Sequence, residues 1–291
     1  MTASSDQPPI RLGLPKGRMQ EEVVRLLADA GIRLAHGPRE YRPRISLEGY
    51  EVKFLKPQNM VEMLQEGSRD IGFSGADWVA ELDLDLVELL DTGLNPIRLV
   101  AATTAKFLED GEASDKPFVV ATEFANLTRA WLEDSKREGR ILRAFGATEV
   151  FPPEDADYIV DVTATGATLE ANDLIIVDEL MTSSTRLYAN PKLLEDAGRR
   201  DRIERFVMVL RAVLEARKRV MVEVNVPADR LDELIKVMPC MREPTVSSLN
   251  AGKGYAVKAA VPREVLAQAI PEIKACGGTD IVVTEIAQIV P

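Results

Sequence analysis

The sequence predicts an α/β protein: two lobes of strand–turn–helix units followed by a small βαββαβ module. Three observations carry this reading. Short apolar runs alternate with amphipathic stretches from residue 10 to about residue 190, the pattern of a parallel sheet with helices on its faces. Polar turns rich in Lys, Asp, Thr and Gly recur where a strand hands over to a helix, and ligands bind at that end of such sheets. From Val220 onward the order becomes strand, helix, two strands, helix, strand, which is the ferredoxin-like pattern.

Ile10–Leu14 is an apolar strand. After Pro15-Lys16-Gly17-Arg18 comes a helix from about Met19 to Ala30, with Val23, Val24, Leu26 and Leu27 in its apolar stripe, ended by Gly31. Lys16 and Arg18 therefore sit at a strand-to-helix junction, where two cations and free N–H groups make an anion site or, equally, a solvated turn. Val52–Leu55 is a strand, then Lys56-Pro57-Gln58-Asn59 opens a helix from about Met60 to Glu66. Asp70–Phe73 is a strand, and Ser74-Gly75-Ala76-Asp77 opens the helix Trp78–Glu81. Lys16, Lys56 and Asp77 all fall at carboxyl ends of strands and can converge on one cleft. Asp85–Asp91 reads as a solvated acidic face.

Pro96–Thr104 reads as a strand crossing into a second lobe. Phe118–Thr122 is a strand and Asn126–Glu138 a helix. Glu123 lies between them, either as a first-turn acid or as a substrate contact. Leu142–Val150 and Asp157–Thr163 complete this lobe, and Leu174–Glu179 returns to the first. Ser183-Ser184-Thr185-Arg186 reads as a link to Leu187–Ala189, Asn190-Pro191 as a helix stop, and Asp201–Arg219 as a long helix after one starting near Leu193. The expected domains are 1–95 with 185–215, 96–184, and 217–291. In the tail the elements are Val220–Val226, Asp229–Val237, Thr245–Leu249, Tyr255–Val261, Arg263–Ala275 and Asp280–Ile289.

The richest segment is DYIVDVTATGATL, residues 157–169. Its strand breaks at Thr163, Thr165, Gly166 and Thr168 into a helix start. Such a turn presents N–H groups and hydroxyls to a phosphate, or simply caps a helix. Asp157 and Asp161 share one face of the strand. Carboxylates there accept hydrogen bonds from sugar hydroxyls, so the segment suggests a ribose-5-phosphate site.

Composition removes several alternatives. The chain has 291 residues, 46% hydrophobic, enough for two or three domains. No apolar run is long enough to span a membrane. The start MTASSDQPP lacks a basic and an apolar region, which predicts a short disordered lead and no secretory signal. Two cysteines, Cys240 and Cys276, make no disulfide framework and fit a reducing cytoplasm. The net charge of −11 disfavours general binding to nucleic acid or membrane surfaces. With His36 the single histidine, Ser-His-Asp and Cys-His catalysis are excluded. A metal would be Mg²⁺ on carboxylates and substrate phosphates.

Seven segments in order resemble the ATP phosphoribosyltransferase family, in its long form with a C-terminal regulatory domain. They are LPKGR (14–18), FLKPQNM (54–60), DIGFSGADW (70–78), ATEFANLTRAWL (121–132), ADYIVDVTATGATLEANDL (156–174), SSTRLYANP (183–191) and PTVSSL (244–249). The resemblance implies two lobes like those of type II periplasmic binding proteins, with a ferredoxin-like (ACT-like) tail. It implies Mg²⁺-dependent joining of ATP, through N1 of adenine, to phosphoribosyl pyrophosphate, the first step of histidine biosynthesis. On this chain, Thr163, Thr165, Gly166, Ala167 and Thr168 would cradle the 5′-phosphate and Asp161 would contact the ribose hydroxyls. Lys16 and Lys56 would hold pyrophosphate or triphosphate oxygens, and Arg18, Asp77 and Glu123 would place ATP. In the tail, histidine as feedback inhibitor would meet Asn225, Met241, Thr245 and Asp280. Asn225 is neutral, so Asp280 would supply the charge an ammonium or imidazolium needs. The resemblance also implies dimers assembling into hexamers. A two-lobed solute-binding protein and a single-lobed salvage phosphoribosyltransferase are the competing readings.

Overall fold

The computed structural model describes residues 8–35, 37, 40–110 and 117–290. Most of the expected disordered lead (residues 1–7) and His36 lie outside the described residues. The chain forms two compact units. One holds residues up to Arg25 together with Ile32–Arg202, and the other holds Leu26–Gly31 together with Ile203 onward.

The first unit opens with β1 (Ile10–Pro15), α1 (Gln20–Asp29), a small ladder of β2 (Leu34–Ala35) with β3 (Arg44–Ile45), and β4 (Tyr50–Leu55). It continues through α2 (Pro57–Gln65), β5 (Ile71–Gly75), α3 (Ala76–Glu81), β6 (Val87–Thr104), α4 (Ala105–Asp110), β7 (Phe118–Thr122) and α5 (Ala125–Asp134). Then come β8 (Gly139–Arg143), β9 (Tyr158–Thr163), α6 (Ala167–Ala171) and β10 (Leu174–Ala189). Among the described residues β1 and β4 to β10 form one eight-stranded sheet, in the order β4-β1-β5-β10-β6-β9-β7-β8.

Each end of this sheet is parallel, and its middle is not. β4, β1 and β5 run parallel, as do β9, β7 and β8. Between them β6 and β10 lie antiparallel over their whole length, Leu174 opposite Thr104 and Ala189 opposite Val87. The Arg186 end of β10 pairs with β5, and the Arg98–Thr103 part of β6 pairs with β9. The two strands thus run from one lobe into the other, which gives the expected two-lobed α/β arrangement.

These strands correct several expected boundaries. The acidic Val87–Asp91 stretch lies within β6, and Ser183–Arg186 within β10 rather than in a linking turn. The pairing shifts register at Ser183/Thr185 and at Thr185/Arg186. Bulges of this kind leave polar residues inside a strand and blur its period-2 signal. Leu142–Val150 is not a strand. β8 ends at Arg143, and Thr148–Val150 is one turn of 3-10 helix. α5 stops at Asp134, short of the expected Glu138.

The core is set by alternation and by residues buried on both faces. Ile10, Leu12, Leu14, Ile71 and Phe73 are fully buried at the centre of the first lobe. In the second lobe Tyr158 is the largest fully buried side chain. Its ring meets Phe107, Phe118 and Trp131 at centroid distances of 5.2, 5.0 and 6.1 Å. Aromatic contacts of this kind contribute about 0.5–1.5 kcal/mol each beyond area burial.

The second unit contains most of α7 (Ala197–Arg217), then β11 (Arg219–Val226), α8 (Leu231–Val237), β12 (Thr245–Ser248), β13 (Tyr255–Pro262), α9 (Leu266–Ala275) and β14 (Thr279–Glu285). α7 begins earlier than the expected Asp201, and β14 ends before the expected Ile289. The sheet order β12-β13-β11-β14, with every neighbour antiparallel, is that of the ferredoxin-like fold. Val220, Val222, Val224 and Val226 point into the core with Leu234 and Ile273, while the alternate residues of β11 face away.

Candidate active site

Carboxyl ends of strands from both lobes meet at one cavity of about 720 Å³. Its walls include Lys16 and Arg18 after β1, Lys56 after β4, Asp77 in α3, Glu123 after β7 and Asp161 in β9. Of the expected substrate residues, these six therefore share one space. Each arrives there for a local reason. Gly17 adopts φ +86°, which turns the chain between β1 and α1. Lys56 is the residue before α2, where Pro57 takes the first helical position. Thr122 donates to the Val160 carbonyl at 2.7 Å and accepts from Phe124 N–H at 2.9 Å, fixing the turn that carries Glu123.

The electrostatics are mixed and desolvated. Burial raises the Asp161 carboxyl above the ordinary carboxylate range, and Glu149 adds to the rise. The Thr148 hydroxyl, the Val162 N–H (2.6 Å) and Arg18 oppose it. Glu123 is raised by burial and by Asp161, and lowered by Lys56 and the Gly146 N–H. Lys56 and Glu123, Arg18 and Asp161, and the two carboxylates are thus near enough to feel one another. Such shifts are common where charge is handled in a cleft.

Asp77 is buried and engaged. Ser183 Oγ donates to its carboxylate at 2.7 Å and accepts from its N–H at 3.1 Å. Ser183 belongs to β10, so Asp77 ties α3 to a strand that runs between the lobes. Its carboxylate has less freedom to meet a ligand than those of Glu123 and Asp161.

The Thr/Gly loop follows directly from the Asp161–Val162 wall. Gly166 has φ +88°. The Thr163 hydroxyl accepts from Gly166 N–H at 2.9 Å, and Thr165 accepts from Ala167 N–H at 3.3 Å. Two of the expected phosphate donors are therefore held by the loop's own hydroxyls, while Thr165, Ala167 and Thr168 remain exposed. Asp157 does not join Asp161. Its carboxylate accepts from Val119 N–H at 2.7 Å, at the start of β9.

Sequence reasoning missed the aromatic part of the cavity. Tyr41, Trp78 and Phe124 line it. The Lys16 ammonium lies 3.8 Å from the Tyr41 ring centroid, and Trp78 meets Phe124 at 4.8 Å. Trp78 and Phe124 each directly follow an acid already singled out, Asp77 and Glu123. With aromatics at 5% of the chain, that adjacency was the available signal.

Among the described residues no three His, Cys, Asp or Glu side chains assemble as a metal cage. Glu123 and Asp161, with Asp77 already engaged by Ser183, are the carboxylates at the cavity, which suits Mg²⁺ held in part by a ligand's phosphates. Among the described residues no helix is long and apolar enough to cross a membrane.

In the second unit, Asn225 Nδ2 donates to Asp280 at 3.0 Å, and Thr279 Oγ1 donates to the same carboxylate at 3.3 Å. A register shift between Glu223 and Asn225, with Asp280 at φ +48°, brings the two together. Thr245 stands opposite Lys258, itself opposite Glu223, so Thr245 shares the outward face with Asn225. The Met241 N–H donates to the Ala260 carbonyl, and its side chain is exposed.

The chain matches known proteins along nearly its whole length. The profile of the HisG family, ATP phosphoribosyltransferase, matches residues 56–212, and that of the HisG C-terminal domain matches 216–288. The ATP phosphoribosyltransferase of Pelodictyon phaeoclathratiforme is 34% identical over 281 residues, 94% of each chain. That of Pelotomaculum thermopropionicum is 33% identical over 287 residues, covering 97% of this chain and 99% of the relative. A solved ATP phosphoribosyl transferase (HisG:HisZ) complex from Thermotoga maritima contains a chain superposing with TM-score 0.62 at 28% identity, over 71% of this chain and 98% of that one. Two profile matches in tandem and full-length relatives above 30% identity agree with the two-unit fold and the cavity at its strand ends: the chain belongs to the ATP phosphoribosyltransferase family, enzymes of the first step of histidine biosynthesis, in the form that carries a C-terminal domain.

Proposed function

We propose that the cavity joins phosphoribosyl pyrophosphate to N1 of ATP, releasing pyrophosphate, and that histidine bound to the C-terminal domain inhibits the reaction. The observation that carries the first part is the meeting of Lys16, Arg18 and Lys56 from one lobe with Glu123 and Asp161 from the other in one cavity. Adenine N1 forms the new bond to the anomeric carbon as the carbon–oxygen bond to pyrophosphate breaks, and the leaving group keeps the electron pair. Developing negative charge on pyrophosphate is the main electrostatic demand, and Lys16 and Lys56 answer it. Bound Mg²⁺ would neutralise part of the same charge, with Glu123 and Asp161 as its protein donors. Asp161 orients the ribose through its hydroxyls. The Thr163–Thr168 loop takes the 5′-phosphate through its exposed Thr165 and Thr168 hydroxyls and remaining N–H groups. Trp78 and Phe124 offer flat apolar surface for the adenine ring. Rate then comes from orientation and charge stabilisation, which requires no histidine base.

In the tail, the Asn225–Asp280 pair supports an amino-acid site, since Asp280 supplies the carboxylate for an ammonium group. A cytoplasmic location and self-association into dimers and hexamers complete the reading. The test is pyrophosphate release by the purified protein given ATP, phosphoribosyl pyrophosphate and Mg²⁺, with and without histidine. Release that needs both substrates and falls with histidine is expected. Release indifferent to histidine removes the inhibitor assignment, and no release from folded protein removes the reaction.

A further inference from the structure

The cleft occupies one end of the parallel strands, and a second charged concavity occupies the other. β1, β4 and β5 run parallel. Arg11, Tyr50 and Asp70 therefore gather at their amino ends, away from Lys16, Lys56 and Asp77. Six residues of strand separate the two ends by roughly 20 Å. At the amino end lies a cavity of about 480 Å³ lined by Arg42, Arg44, Arg69, Tyr50 and Glu51 among others.

Some arginines here are already committed. Arg11 grips Asp70 at 2.6 Å, and Arg199 reaches the same carboxylate at 3.7 Å. Arg202 donates to the Pro8 and Gly49 carbonyls. Arg42, Arg44 and Arg69 are different: none forms an ion pair or side-chain hydrogen bond with a described residue. Arg69 Nε is buried with no hydrogen-bond partner. Burial, then the charges of Arg11 and Arg42, hold the Arg69 guanidinium below its usual range, with Asp70 and Glu51 opposing. Such crowding stands out on a chain of net charge −11. A buried guanidinium N–H without a partner is costly, and an anion in the cavity would relieve both the orphan and the repulsion.

We propose that the Arg42–Arg44–Arg69 pocket binds a small polyanion with adjacent phosphoryl groups, at a site separate from the cleft. Planar guanidinium forks match phosphoryl oxygens two at a time. Three of them around one small cavity call for about three negative charges close together, which neighbouring phosphoryl groups supply. Glu51 in the lining offsets part of this positive charge, so the ligand must carry more than one negative charge to be held.

Inorganic triphosphate is the probe, titrated by calorimetry into the full chain. The Lys16→Ala/Lys56→Ala variant weakens binding in the cleft. It should still take up one triphosphate per chain, with affinity falling as salt rises. Adding Arg42→Gln and Arg44→Gln, both at exposed positions, should weaken that binding at least tenfold. Hydrogen exchange on the Lys16→Ala/Lys56→Ala chain should show triphosphate protecting residues 42–52 and 69. That measurement keeps the Arg pocket intact and decides the matter even if the glutamine variant folds poorly. Protection confined to 161–169, or affinity unchanged by the glutamines, overturns the proposal. So does a shift in oligomeric mass with unchanged triphosphate binding, which would make the patch a protein interface. No catalysis is measured, so this outcome is independent of the proposed reaction.

Discussion

Asp161, proposed to orient the ribose, carries a cost to the fold. Its carboxyl is raised by burial against two donors that favour the charge. The folded chain therefore holds this proton more tightly than the unfolded chain. The stability linked to it is present below the unfolded pKa and is lost as pH rises through the folded one. Asp161→Asn stays neutral throughout. We expect it to melt at higher temperature than the native chain at pH 7–8, with the gap closing in acid, while turnover falls. An equal or lower melting temperature at pH 7–8 would refute the account. Lys16 and Gly166 belong to the same scale. Lys16→Ala should cut turnover by about a hundredfold, the usual loss for one charge-stabilising donor. Gly166→Val should cut it similarly, because a β-branched residue resists φ +88°. Wild-type rates in either variant, measured by pyrophosphate release, would remove the corresponding role.

At the scale of elements, junctions decide. Glu81 is buried at the end of α3, and its carboxylate accepts from Asn126 N–H and Leu127 N–H at 3.0 Å. It thereby caps α5, which has no side-chain cap from its own Phe124. A helix of one lobe is closed by an acid from the other, beside the Trp78–Phe124 contact. Glu81→Ala should lower stability by about 1–2 kcal/mol. It should also raise KM for the substrates, read from urea melts and initial rates. An unchanged urea midpoint would show that the cap carries no weight. In the tail, Gly254 has φ +115°, and a Cβ there would stand 2.2 Å from the Val226 carbonyl oxygen. Gly254→Ala should destabilise the C-terminal unit by about 2 kcal/mol or more, since backbone cannot give way as a flexible side chain does. Exchange protection of β11 and β13 is the direct readout.

At the scale of the whole molecule stands the proposed inhibition through the tail. The Asn225–Asp280 pair joins strands β11 and β14 on the face of the sheet turned away from the valine core. Asp280→Ala should leave uninhibited turnover unchanged and shift the histidine needed for half-inhibition upward by tenfold or more. Inhibition curves that superpose would place the inhibitor elsewhere.

The sequence alone determined the α/β class, the ferredoxin-like tail and the strand-end positions of Lys16, Lys56, Glu123 and Asp161. These follow from periodicity and from turn chemistry, which act over a few residues. It misjudged β6 and β10, whose bulged pairing hides in a polar run such as Ser183–Arg186. It did not reveal that Asp77 is held by Ser183, more than a hundred residues away, or that Asp157 is taken by the Val119 N–H. Nor did it reveal the aromatic wall of the cavity, or that Arg42, Arg44 and Arg69 at the opposite strand ends have no ion-pair partner among the described residues. Those facts depend on which side chains the sheet brings together across long sequence distances, and such contacts leave no local pattern to read.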